Sequence, residues 1–509
     1  MTSEQLLPEL LRLDAAGDHA GVAAAFEAAR LDPAETAFAI YQLLINGRFR
    51  SAHAAVRGLT GAGAHHPVIE LARALGGMLF GASDDAAAGA ASLAQAVAHF
   101  AAGQRRVFED QVLARVFQQA MVAQTVALDA ALEARLRGFF ASLSTRFAPL
   151  GSQAALPGVV FPDPVEAALS PFWRGAEMVE TLTLVRTSPH APPQARPLFR
   201  PDRVLRLTSA TRDVLFEPGS DYELDAASGL VTLPAGSRVA FKTLAELMEF
   251  AGFRLPFPLD DARSFHFPQV EIAYTHAPGQ WRGPVPAVAE AYLPRTLATL
   301  RARGALKLMV LGDSIGGGAG SSAGMKLAPN LPGFVDQVAS GLERAHGATV
   351  TLENLSRGGW SSDVGARLAI QEKLGTRRPD LVLVAFGMND ITYAHSGHGE
   401  VFSAGNYGLR IAAIIEAIRR DAGQAEFILV APMFGNGESA LFPPAQFAAY
   451  RDELQRLTGR GVALADVTGI LEAMLRTKSW YDTSFNGVNH PNDFMHRLYA
   501  QIVLALLAK

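Results

Sequence analysis

Four short blocks of this chain carry residue types that together could break an ester. They are Gly312-Asp313-Ser314-Ile315, Gly358-Gly359, Gly387-Met388-Asn389-Asp390 and His490-Pro491. A serine hydroxyl attacks a carbonyl only when a base takes its proton. Imidazole is the natural base at neutral pH, which makes His490 the partner of Ser314. A backbone N–H at a glycine turn and the side-chain amide of Asn389 can both donate to the negative charge that develops on the attacked oxygen. Each block alone has a plainer reading: a turn serine, a βα turn, an Asx turn or helix cap, and a loop histidine. Their order along the chain and their positions relative to the secondary structure give the set its weight.

The elements that must position them follow from hydrophobic periodicity. Leu308-Met309-Val310-Leu311 is a short apolar run that ends at Gly-Asp-Ser, so Ser314 falls at the C-terminal end of a buried strand, where open α/β sheets place their sites. Strands are expected at 306–311, 349–354, 380–386, 426–431 and 461–466, with amphipathic helices between them, as at 333–345 and 408–420. This βαβ rhythm predicts a parallel sheet with helices on both faces. Gly358-Gly359 then follows the second strand, Asn389 the third, and His490 precedes a terminal helix over 494–507. Asp313 is expected to hold the serine turn and Asp390 to brace its loop.

Upstream, the character of the chain changes twice. Residues 1–150 read as helices only, with Leu6, Leu7, Leu10, Leu11 and Leu13 on one face. Ala16-Gly17-Asp18 through Pro33 resembles a tetratricopeptide half-repeat, and Gly47 begins a candidate second copy. Such an array suggests a protein partner. Residues 151–290 are β-rich and predict a small sandwich-like domain, with strands at Val204–Leu207, Asp221–Leu224, Leu230–Leu233, Val239–Phe241 and Val270–Tyr274. The α/β domain occupies 291–509.

Other chemistries fare worse. Gly318-Ala319-Gly320-Ser321-Ser322-Ala323 fits G-x-G-x-x-A and could cradle a dinucleotide, but this leaves Ser314, Asn389 and His490 without a purpose. Lys326 is not followed by Ser or Thr, which excludes a phosphate-binding loop of the Gly-Lys-Ser/Thr type. His395 and His398 could approach one ion, although a glycine-containing loop favours solvated or substrate-facing roles. Trp360 is a pocket wall or a core anchor, and His496, beside Arg497 in the terminal helix, a packing or surface residue. No metal and no cofactor is expected.

The absence of cysteine excludes disulfides, thiolate catalysis and Cys-ligated zinc. A net charge of -4 offers nothing to a phosphate backbone, so nucleic acid is not an expected partner. The polar N-terminus has no signal-peptide pattern, and no apolar run spans a bilayer. A cytoplasmic location is expected, or a secreted one if a leader is missing.

The four blocks resemble those of the SGNH hydrolases, the GDSL esterase/lipase superfamily, over about residues 304–509. Gly312-Asp313-Ser314-Ile315 matches the first, Asn354 with Gly359 the second, Gly387-Met388-Asn389-Asp390 the third and His490-Pro491-Asn492 the last. The resemblance implies a flavodoxin-like three-layer α/β/α domain working through an acyl-enzyme without metal. Ser314 would be nucleophile, His490 general base, and Ser314 N–H, Gly359 N–H and Asn389 the oxyanion donors. The family carries Asp three residues before the histidine, where this chain has Gly487. Asp493 is taken as the third member, with Asn486, Asp482 or a backbone carbonyl as alternatives. A β domain ahead of the hydrolase looks like the arrangement in some carbohydrate esterases, which implies removal of acetyl groups from a saccharide. Acyl transfer, lysophospholipase or thioesterase activity, and a degenerate scaffold, are the other readings.

Overall fold

The apolar runs of the C-terminal half become a five-stranded parallel sheet. The computed structural model describes residues 3–31, scattered positions and 48–57 within 35–76, and 156–507 apart from 157, 189, 226, 244–246, 248–265, 267 and 396–398. The chain divides into two compact units: Met1–Ala148 with Leu255–Asp261, and Pro149–Arg254 with Ala262–Lys509. In the first, helices α1 (Ser3–Ala15), α2 (His19–Ala29) and α3 (Phe49–Arg57) bury Leu6, Leu10, Val22, Phe26 and Val56. The remainder of the helical expectation over 58–150, and Gly47, lie outside the described residues except at a few positions.

The second unit begins with α4 (Pro164–Leu169). Its β-rich part comprises β1 (Glu177–Leu182), β2 (Val185–Arg186), β3 (Gln194–Ala195), β4 (Pro201–Ser209), β5 (Glu223–Leu224), β6 (Val231–Thr232), β7 (Lys242–Thr243) and β8 (Val270–His276). These form two sheets, an antiparallel β1-β8-β4 and a sheet of two-residue strands ordered β5-β6-β3-β2-β7. The strand expected at Val239–Phe241 is displaced to Lys242–Thr243. The backbone before it is captured by side-chain acceptors: Val239 N–H donates to Ser237 Oγ (3.1 Å), and Arg238 N–H donates to Asp221 Oδ1 (3.2 Å). Such bonds compete with a ladder.

The α/β part runs α5 (Pro294–Arg301), β9 (Ala305–Gly312), α6 (Phe334–His346), β10 (Thr349–Asn354), α7 (Ser362–Gln371), β11 (Leu381–Ala385), α8 (Met388–Tyr393), α9 (Ala404–Asp421), β12 (Glu426–Val430), α10 (Pro444–Arg456), β13 (Val462–Ala465), α11 (Val467–Met474) and α12 (Asp493–Leu507). The strand order β10-β9-β11-β12-β13 is the flavodoxin-like doubly wound order, with its switch point at β9. Leu381 to Val384 and the whole of β12 are buried, as strands covered on both faces must be. In register, Gly312 of β9 lies opposite Ala385 of β11, which brings the loops carrying Ser314 and Asn389 to one edge. The apolar surface of α12 is enclosed by α6 and α4. Gln501 Nε2 donates to Ala167 O (2.8 Å) and Ser170 O (3.1 Å), satisfying carbonyls left over at the end of α4. Among the described residues no helix is long and apolar enough to cross a membrane.

Candidate active site

Strand β9 ends where Gly312 passes close to β11. A Cβ there would sit 2.8 Å from Ala385 O, so only glycine allows the approach. The chain then turns. Asp313 Oδ1 accepts from Ile315 N–H (2.9 Å), and Ser314 O accepts from Ala319 N–H (2.9 Å), which fixes the serine at the strand end. Burial raises the Asp313 carboxyl to about 7.

The His490 ring reaches this serine: Ser314 Oγ and His490 Nε2 are 2.9 Å apart, across 176 residues of chain. That is hydrogen-bond reach for a hydroxyl and its base. Asn486 builds the histidine's loop, its single carbonyl oxygen accepting from the N–H groups of Val488 (3.0 Å), Asn489 (2.9 Å) and His490 (3.0 Å). His490 O in turn accepts from Phe485 N–H (2.8 Å) and Ser484 Oγ (3.2 Å).

The glycine turn lies on the other side of the serine. A Cβ on Gly358 would be 4.0 Å from Ser314 Cβ. Gly359 O accepts from Tyr393 OH (2.7 Å), and Trp360 O accepts from Asn389 Nδ2 (2.9 Å). The latter bond sets the Asn389 amide and leaves its second N–H for another acceptor. Asp390 caps α7 through Ser362 N–H (3.0 Å) and the Ser362 hydroxyl, tying the asparagine block to the glycine block; burial lifts its carboxyl to about 6. Tyr393 was not among the residues expected here. The signal available was its place one helical turn beyond Asn389.

Asp493 takes a different position from the one expected of a third member. Its Oδ1 accepts from Ser322 N–H (2.7 Å), a tether between α12 and the loop after Ser314. That geometry lends no support to its acting on His490. Asp482 holds Thr183 N–H (2.6 Å) and Lys478 (3.0 Å). Gly320 of the G-x-G-x-x-A stretch serves packing: a Cβ there would meet Pro491 O at 2.1 Å, so the protein's own chain fills the space next to that residue. His395 is exposed and His398 lies outside the described residues, among which no group of three or more metal-ligating side chains occurs. Trp360 is half-buried, with the Arg357 guanidinium 5.4 Å above its ring.

His496 is fully buried and bonded at both nitrogens. Nδ1 accepts from Phe334 N–H (3.2 Å), which leaves Nε2–H to donate to Ala319 O (3.0 Å) and requires a neutral ring. Burial lowers its pKa to about 4. Its folded-state value therefore lies below the unfolded one of about 6.5, so its stabilisation is complete above pH ~6.5 and is lost as pH falls through about 4, on the order of 3 kcal/mol. In urea titrations from pH 7 to 4, wild type should lose more stability than His496→Gln by that order. Parallel acid slopes for the two proteins would show that the ring carries no such linkage.

No curated protein matches the chain. Solved structures similar to it include a lipase from a goat rumen metagenome (15% identity, 40% of this chain and 99% of the other, TM-score 0.32). Others are a two-domain esterase active on acetylated mannans (20%, 44% and 53%, TM-score 0.33) and a catalytic mutant of an acetylxylan esterase from Geobacillus stearothermophilus (18%, 40% and 95%, TM-score 0.32). The match to the two-domain esterase thus covers about half of that protein. Residues 310–498 match the model of the GDSL-like Lipase/Acylhydrolase family, and this part of the chain is a GDSL-like lipase/acylhydrolase domain.

Proposed function

We propose that the protein is a serine-dependent carboxylic ester hydrolase, and that it removes short acyl groups, acetyl first among them, from a saccharide. The observation that carries the proposal is the 2.9 Å contact between Ser314 Oγ and His490 Nε2 at the C-terminal edge of the sheet. In this reading Ser314 Oγ attacks the ester carbonyl as its proton passes to His490 Nε2. The oxyanion is met by the N–H groups of Ser314 and Gly359 and by Asn389 Nδ2. The C–O bond to the alcohol then breaks and the alcohol leaves with the proton from His490. Water, deprotonated by the same imidazole, releases the acid and restores the serine.

The saccharide half of the proposal is supported by a pocket of about 510 Å³ lined by Phe434, Asn436, Glu438, Glu472 and Trp480 among others. It opens beside the loop that follows β12, at the same sheet edge. It is joined to the histidine loop by Asn436, whose N–H donates to Val488 O (2.8 Å) and whose Nδ2 donates to Gly487 O (3.0 Å). Two strand spacings separate β12 from β9, roughly 10 Å. That is a distance a sugar chain whose ester carbonyl lies at Ser314 would span. Aromatic faces with carboxylates at the rim suit sugar rings and their hydroxyls.

Hydrolysis of p-nitrophenyl acetate, butyrate and octanoate tests the reading. Wild type should prefer acetate and release acetic acid from peracetylated oligosaccharides. Preference for octanoate would overturn the short-acyl half. Recovery of the acyl group on an added sugar, in place of free acid, would move the assignment to acyl transfer.

A further inference from the structure

We infer that Gln269, from the β-rich part of the chain, is a positioning residue for His490. The inference rests on the serine–histidine reading above. Gln269 immediately precedes β8, the central strand of the three-stranded sheet, and its side chain is 1% exposed. Its Nε2 donates to Tyr481 O (2.9 Å) and Ser484 O (2.9 Å), and lies 3.3 Å from Thr183 Oγ1. Its Oε1 accepts from Asn492 Nδ2 (3.3 Å). Both ends of the segment that presents His490 are therefore fastened to one amide 212–223 residues away in sequence. Ser484, whose carbonyl Gln269 holds, places its own hydroxyl 3.2 Å from His490 O. One residue separates the β-rich part from the backbone of the imidazole.

A second, charged fastening reinforces the first. Lys478 Nζ is wholly buried, donates to Thr181 O (2.7 Å) and pairs with Glu180 of β1 and with Asp482 (3.0 Å). Glu180 Oε1 is itself satisfied by Leu198 N–H (2.9 Å) and Tyr274 OH. Three buried charges with these partners cost more to separate than to keep in place, so they set one arrangement of the strand against the loop. The amide of Gln269, with four polar neighbours at fixed angles, decides where within that arrangement the histidine loop stands. Misplacement by about 1 Å is enough to lose on the order of 10²-fold in rate.

Gln269→Leu keeps the volume and removes both hydrogen-bonding ends. The expected result is a kcat lowered about 10- to 100-fold with KM within about twofold of wild type. Labelling of Ser314 by a fluorophosphonate, counted per folded molecule, should slow by the same factor. Thr183→Val, which deletes one hydroxyl of the same cluster, should give a smaller loss of the same kind and serves if the leucine variant does not fold. Leu207→Ala, a buried change in β4 away from the loop, should lower Tm while kcat per folded molecule stays at the wild-type value. Folded Gln269→Leu or Thr183→Val with wild-type kcat and labelling overturns the inference. So does a Leu207→Ala variant that loses kcat as they do, since loosening anywhere in the β-rich part would then be sufficient. Wild type that does not react with the fluorophosphonate would refute the serine–histidine reading instead.

Discussion

Ser314→Ala should lower kcat/KM on acetyl esters by about 10⁴-fold or more and leave Tm within a few degrees of wild type. The two halves of this expectation come from different parts of the geometry. The serine side chain is half-buried at a turn, and its hydroxyl contacts His490 Nε2. The turn itself is held by Asp313 Oδ1 and by backbone bonds from Ala319 and Gly317, none of which uses the hydroxyl. Removing one oxygen therefore leaves the fold its contacts and takes from the site the atom that would become acylated. What remains is water attacking a carbonyl held among oxyanion donors, worth a residual of roughly 10³- to 10⁴-fold over solution. The measurement is steady-state hydrolysis of p-nitrophenyl acetate beside circular-dichroism melting and fluorophosphonate labelling. If Ser314→Ala keeps a tenth of the wild-type rate, another residue is the nucleophile and the assignment fails.

How far sequence carries such a site depends on how local its causes are. The apolar runs at the centre of the parallel sheet need no partner information, because a strand covered on both faces is apolar throughout; the expected 380–386 contains Leu381–Ala385. Ser314 and Asn389 were legible as functional candidates because both stand just past such runs, and His490 because a loop before a terminal helix can reach the same edge. The companions of these residues were not legible. Strand β1 contains Glu180 and Thr181 facing the interior, a pattern that argues against a buried strand unless Lys478, some 300 residues on, is known to meet it. Gln269 looks like any strand-flanking glutamine until the carbonyls of Tyr481 and Ser484 arrive beside it. Asp493 shows the converse. Its nearness to His490 in sequence suggested an orienting carboxylate, but at the first turn of α12 its direction is set by the helix, and it points to the N–H of Ser322.

His490→Ala should be nearly as damaging as Ser314→Ala, with kcat down by about 10⁴-fold or more and KM little changed, because the imidazole acts on the proton of Ser314 and not on the substrate's binding. The variant is expected to fold. The loop around position 490 is held by main-chain groups, with its N–H on Asn486 Oδ1 and its carbonyl accepting from Phe485 and Ser484, and alanine keeps all of them. Its fluorophosphonate labelling should slow in parallel with turnover, since that reaction also needs the serine proton removed. The double variant Ser314→Ala/His490→Ala should be no slower than the worse single one, because two groups that act as a unit are not additive. An additive loss in the double variant would mean that the two residues act independently. The 2.9 Å contact would then be a structural hydrogen bond and not a nucleophile–base pair.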